Sequence, residues 1–239
     1  MNAGPNANAS SFPQHSRLLL DALKQRIVII DGAMGTMVQR HKLQEADYRG
    51  KRFKDHPIDL KNNNEALNIV RPEIIEDIHY AYLEAGADII ETNTFNANSI
   101  SMADYKMEHL VRDFNEAAVV VAKRAVQKMM DKDPSRPRFI AGAIGPTTRS
   151  ASVVVDVNRP AHRGITFDPL VAAYYEQAKA LMDAGVDVLL CETTFDTLNL
   201  KAALFAIQKL FEDEKRALPL MASLTITDLA GGNLTGQNL

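Results

Sequence analysis

Three polar segments of this chain carry the residue types that could do chemistry, and each follows a short apolar run. The first is Asp31-Gly32-Ala33-Met34-Gly35-Thr36-Met37. Two glycines and small neighbours let backbone N–H groups approach a ligand closely. Such groups suit an anion, for example a carboxylate, and Asp31 suits an ammonium group. A plain glycine turn with an aspartate cap is the simpler alternative. The second segment is Glu91-Thr92-Asn93-Thr94-Phe95-Asn96, and the third is Cys191-Glu192-Thr193-Thr194-Phe195. Glu192 ends an otherwise apolar run, where an acid is costly unless it is paired or solvated. Its partner is either a cationic ligand group or a nearby Arg or Lys. A further loop, Gly145-Pro146-Thr147-Thr148-Arg149-Ser150-Ala151-Ser152, offers hydroxyls and one Arg, and reads equally well as an ordinary polar connection. The histidines show no H-x-x-x-H or H-E-x-x-H pairing, so a histidine zinc site is not expected; no G-x-S-x-G or P-loop occurs.

The elements that must position these segments alternate along the chain. Strands are expected at 27–30, 88–90, 139–144, 187–191 and 220–226. Between them, Pro72 suits a first helical turn and Ile74, Ile75, Ile78, Tyr82 and Leu83 form a stripe that ends at Gly86, a fitting C′ residue. The pattern returns at Asp168-Pro169, with Leu170, Ala173, Tyr174, Ala178 and Leu181 before Gly185. Residues 102–130 hold one long helix or two, and Thr197 can cap a helix carrying Leu200, Leu204, Ile207 and Phe211.

Glu84-Ala85-Gly86-Ala87-Asp88-Ile89-Ile90 is echoed by Asp183-Ala184-Gly185-Val186-Asp187-Val188-Leu189, one αβ step used twice. Ungapped alignment of the two sets Asn93 opposite Glu192. Side chains alternate across a strand, so Asn93 and Glu192 share one orientation and Cys191 takes the other, under a helix.

Strands alternating with helices imply a parallel α/β sheet. The Rossmann spacing is absent, and the polar segments cluster just after the strands, where a barrel places its site. The expected fold class is therefore a (β/α)8 TIM-type barrel, incomplete here at about five β/α units. Segment 38–71 shows no obvious strand, and only 228–239 follows the fifth.

Composition narrows the function classes. The net charge of −3 and the pI near 6.1 argue against nucleic-acid binding. The single cysteine, Cys191, excludes an internal disulfide and a cysteine-based metal site built from these residues alone. No run approaches a membrane span. Residues 1–19 read as a disordered tail without a secretory signal, 20–239 as the partial barrel domain, and the cytoplasm as the location.

Taken in order, these motifs resemble the cobalamin-dependent methionine synthases. The run Asp31–Met37, Lys61-Asn62-Asn63-Asn64, Glu91–Asn96 and Ala103-Asp104-Tyr105 carry the likeness. So do Gly145-Pro146-Thr147 with Arg149, Asp156-Val157-Asn158, Ile165-Thr166-Phe167-Asp168 and Glu192-Thr193. Thr148 departs from an Asn expected there, which puts any hydrogen bond from that amide in doubt. The resemblance spans about residues 20–239 and implies the homocysteine-binding module. In that family, zinc held by three cysteines stabilises the homocysteine thiolate. The thiolate takes a methyl group from methylcobalamin, recharged by 5-methyltetrahydrofolate, to give methionine.

By resemblance Asp31 and Glu192 hold the substrate ammonium, amides around Gly32, Ala33 and Met34 hold its carboxylate, and Asn93 lines the pocket. The family's zinc ligands are expected beyond Leu239, as are its folate, cobalamin and activation domains. No zinc, no cobalamin and no catalytic residue is therefore assigned to this chain, which is expected to be inactive alone. Two alternatives remain: a sister enzyme using betaine or S-methylmethionine as methyl donor, and a non-catalytic truncated product.

Overall fold

A computed structural model describes residues 11–237. The first helices are α1 (Gln14–Gln25), α2 (Met34–Arg40), α3 (Glu45–Arg49), α4 (Leu67–Val70) and α5 (Pro72–Ala85). Strand β1 (Ile89–Glu91) follows, then α6 (Ser99–Met102), α7 (Val111–Lys132), β2 (Phe139–Ile144) and α8 (Phe167–Ala184). The chain continues through β3 (Val188–Thr194), α9 (Thr197–Glu214) and β4 (Leu220–Leu224). The strands form one parallel sheet in the order β1-β2-β3-β4, with Ile89 beside Phe139, Ala141 beside Val188 and Leu189 beside Leu220. This is the parallel α/β architecture of a TIM-type barrel, seen among the described residues as an open arc.

Side-chain alternation divides the sheet into two faces. Ile90, Ile140, Leu189 and Cys191 face the helix layer, where they meet Val119, Leu181 and Ile207. Ile89, Phe139, Ala141, Val188 and Leu190 face the other way and pack with Leu19 of α1. Cys191 thus lies under the helices, the side its parity predicts. The echoed units also share a geometry. Gly86 and Gly185 both close their helices in the left-handed region, with φ of 115° and 87°. Asp88 and Asp187 each accept a backbone N–H from the preceding chain segment, Ile29 N at 3.0 Å and Ile140 N at 2.8 Å.

Several expectations need correction. The opening segment 27–30 is not a full strand: a single parallel bridge joins Ile30 to Ile89. Its other side has no strand beside it among the described residues, and Ile27 and Ile29 are exposed, so the ladder has little to hold it. The expected tail at 1–19 falls outside the described residues up to position 10. From Gln14 onward it is helix α1 instead. Leu19 is the reason, since its burial against the sheet is worth about 1.5–3 kcal/mol. His15 at 2.8 Å from Asp187 and Arg26 at 2.7 Å from Asp88 pin the two ends of this helix. The cap of α9 is Asp196, not Thr197; its carboxylate accepts the Leu198 and Asn199 amides. Segment 102–130 divides into short turns and the long α7. Segment 38–71, where no strand was expected, is built of helices and turns, and no strand falls there among the described residues.

Candidate functional site

At the C-terminal ends of the strands lies a cavity of about 270 Å³. Asp31, Gly32, Ala33, Met34, Asn93 and Glu192 all line it. Segments some 160 residues apart in sequence are therefore brought to one place by the ends of β1 and β3 and the turn after the opening segment. Asn64, Glu65, Glu91 and Phe95 complete the walls used below.

The turn at 32–35 is shaped by Ala33, which sits in the left-handed region at φ 49° and ψ 35° before α2 begins. Among the described residues, the amides of Gly32, Ala33, Met34 and Gly35 find no acceptor. A bend of this kind points successive N–H groups the same way and makes an anion-binding concavity. Asn93 works differently. Its amide donates to Asn64 O at 2.7 Å and to Asn68 Oδ1 at 3.1 Å, while Asn68 returns a bond to Asn93 O at 2.8 Å. Asn93 lines the cavity, yet its donors fasten the end of β1 to α4 and to the turn before it.

The carboxylates dominate the electrostatics. Burial pushes Asp31 up to about 7; the Glu91 amide it accepts at 2.9 Å works against this, and nearby Glu192 adds to it. Burial also pushes Glu91 up to about 8, reinforced by Glu192 and Asp31. Glu192 is raised too, chiefly by burial and against a weak bond from Thr193. Glu65 is buried and raised for the same reason, although the Asn96 amide donates to it at 2.8 Å. No Lys or Arg lines this cavity. His79 of α5 lies behind Asp31, its Nδ1 4.0 Å from Asp31 Oδ2, with neither ring nitrogen hydrogen-bonded. Burial lowers His79 to about 4, so it is neutral and offers no counter-charge.

Sequence reasoning did not single out Glu91, Glu65 or His79. Glu91 was nonetheless within reach: it stands two residues before Asn93, and the same alternation that aims Asn93 at the site aims Glu91 there. The loop after β2 contributes no lining residue among those described. Its hydroxyls serve the loop itself: Thr147 donates to Arg149 O, and Ser150 and Ser152 both donate to Asp196. Arg149 pairs with Asp104 at 3.0 Å, and Thr148, where an Asn was expected, lies at 3.4 Å from the Arg149 guanidinium through its hydroxyl.

The model of the homocysteine S-methyltransferase domain matches residues 28–239. The chain belongs to the homocysteine S-methyltransferase family. Its fold is shared with crystal structures of the homocysteine methyltransferase MmuM from Escherichia coli. The oxidized form superposes with a TM-score of 0.70 at 23% identity, covering 95% of this chain and 70% of that one. The metallated form gives 0.67 at 21%, covering 92% and 70%. These likenesses carry the fold; the family carries methyl transfer to homocysteine as the class of chemistry.

A metal does not fit the residues described. No group of three His, Cys, Asp or Glu side chains among them could hold an ion. Cys191 faces the helix layer, and burial pushes its thiol up to about 12, far from the thiolate that metal ligation needs. Among the described residues no helix is long and apolar enough to cross a membrane.

Proposed function

We propose that the cavity binds homocysteine by its amino-acid end, as the acceptor module of a cobalamin-dependent methionine synthase. One observation carries the reading: two carboxylates without basic partners, Asp31 and Glu192, share a cavity with the free amides of Gly32 to Gly35. That is a zwitterion clamp. The ammonium goes to the acids, and the carboxylate goes to the N–H groups. Both are charge-assisted bonds, each worth about 1.5–3 kcal/mol when formed in a sheltered site.

The residues of this chain bind and orient. They do not activate the thiol, because the described residues include no group of three side chains that could hold zinc and the site is rich in acids, which disfavours a thiolate. In this reading the metal, methylcobalamin and the folate, cobalamin and activation domains belong to the assembled enzyme. The run Ala33-Met34-Gly35-Thr36-Met37 and the insert through Asn62 to Asn64 favour cobalamin over betaine or S-methylmethionine as the donor source.

Calorimetric titration tests the clamp. L-homocysteine should bind the parent chain, and 4-mercaptobutyrate, which lacks the ammonium, should bind at least about tenfold more weakly, the equivalent of ~1.4 kcal/mol. Glu192→Ala should abolish that preference. Equal affinity for the two compounds in the parent would remove the acids from the site.

A further inference from the structure

The clamp reading leaves one carboxylate too many. An ammonium carries one positive charge, while the cavity is lined by Asp31, Glu91 and Glu192 and also by the buried Glu65. Glu91 is not a bystander: its own amide fixes Asp31 Oδ1 at 2.9 Å, and its side chain faces the same space as the other two acids. The surroundings supply no cation. His79 approaches Asp31 to 4.0 Å but is fully buried, without a hydrogen-bond partner at either ring nitrogen. The other titratable groups near the cluster are Tyr48 and Tyr105, which face Glu65. Four acids and no base cannot all be ionised in a sheltered space.

We propose that Glu91 is the third carboxyl group of the ammonium site, and that a ligand's ammonium enters this cavity in exchange for a proton. The proposal rests on the zwitterion-clamp reading and deepens it. In the empty site a carboxylic acid of the cluster keeps its proton. When R–NH3+ arrives, its charge stabilises the ionised carboxylate; the acid's O–H bond breaks and the proton passes to solvent. The ammonium keeps all three of its hydrogens, so charge and protons balance. His79, neutral and unpartnered beside Asp31, fits this scheme, because a cationic imidazole there would fill the role reserved for the ligand. The clusters titrate near neutrality, Asp31 at about 7 and Glu91 at about 8. Uptake of an amino acid should therefore strengthen as pH rises from 6 to 8, while the ligand's ammonium remains charged.

The experiment is calorimetric titration of the parent chain and Glu91→Gln with L-homocysteine near pH 7, each in two buffers of different ionisation enthalpy. The parent should release about one proton per ligand bound, and Glu91→Gln markedly less, with a flatter pH dependence of affinity. Binding of homocysteine without any buffer-dependent heat in the parent overturns the proton exchange and leaves the clamp standing. Absence of binding overturns the clamp instead. In that case the ligand-free protein still tests the acid cluster. Its groups have folded pKa values above their unfolded ones, so the stability they lend is fully present below the ordinary values of 3.8 and 4.5, declines as pH rises from there, and is gone once pH has passed about 7 to 8. Thermal midpoints should fall over that window in the parent and fall less in Glu91→Gln. Identical profiles would overturn the role given to Glu91.

Discussion

Buried aspartates stand at both ends of this sheet, and they live in opposite electrostatic worlds. At the N-terminal ends of the strands, Asp88 is fully buried but meets Arg26 at 2.7 Å, Arg136 at 3.2 Å and the Ile29 amide at 3.0 Å. Burial alone would raise it, yet these partners hold it below the ordinary carboxylate range. Its echo, Asp187, takes His15 and the Ile140 amide. At the C-terminal ends, Asp31, Glu91 and Glu192 have no basic partner lining their cavity and are all raised. The lesson is that a buried acid is structural where the chain supplies its counter-charge. Where the chain withholds one, as at this cavity, the acid is a candidate binding group.

Exchanging the same kind of side chain at the two ends breaks or sharpens this contrast. Asp88→Ala removes the partner of two arginines and the acceptor of the Ile29 amide, and should cost about 3 kcal/mol of stability with homocysteine affinity unchanged in the fraction that stays folded. Glu192→Ala should do the reverse. Removing an unpaired acid relieves repulsion, so the thermal midpoint holds or rises, while binding weakens by about 2 kcal/mol, roughly thirtyfold. Parallel melting curves and titrations of the two variants check both halves. A large stability loss in Glu192→Ala would show that the upper acids are structural after all.

Gly145→Ala probes how the upper end is held together. A Cβ at Gly145 would stand 2.6 Å from Phe95 O and 2.8 Å from its ring, both rigid neighbours, and Phe95 lines the cavity. Overpacking of this kind costs about 1–3 kcal/mol. The expected result is a lower melting midpoint together with weaker homocysteine binding, because the wall must move. A variant that loses stability with binding intact would place Phe95 outside the working part of the site.

How far the sequence showed this molecule depends on which interaction shapes each part. Four of the five expected strands appear; for β1, β2 and β3 the reason is burial on both faces, which writes itself as a continuous apolar run, whereas β4 is an apolar run that stays exposed or half-exposed along its length. The duplicated Gly-x-Asp step was visible for the same local reason, and parity alone placed Asn93, Glu192 and Cys191. Helix α1 was hidden: its hold is Leu19, His15 and Arg26 reaching residues far along the chain, and its composition up to Ser16 is that of a tail. His79 was hidden as well. It falls within the apolar stripe of α5, one turn after Ile75, where a histidine reads as core. Only the fold sets it behind Asp31. The hydroxyls after β2 looked like site residues because their type is polar. Their partner, Asp196, lies more than forty residues on and turns them inward.

The smallest expected effect concerns the other half of the clamp. Ala33 holds a left-handed backbone at φ 49°, a conformation that costs a residue with a Cβ about 1 kcal/mol. Ala33→Gly removes that strain in the folded chain but also frees the unfolded one, by about 0.4–1 kcal/mol. The two nearly cancel, so the melting midpoint should hardly move. Binding should change by a different route. In the parent the turn is already set by the left-handed Ala33, with the amides of Gly32 to Gly35 unpaired before any anion arrives. With Gly at 33 the same turn samples more conformations and must be ordered by the ligand, an entropic cost that falls on affinity. Homocysteine binding should weaken two- to fourfold, about 0.4–0.8 kcal/mol. The ammonium-dependent share, measured against 4-mercaptobutyrate, should stay as it was, because the acids are untouched. If Ala33→Gly instead erodes the ammonium preference, the two halves of the clamp are not separable, and the turn acts by positioning Asp31 rather than by receiving the carboxylate.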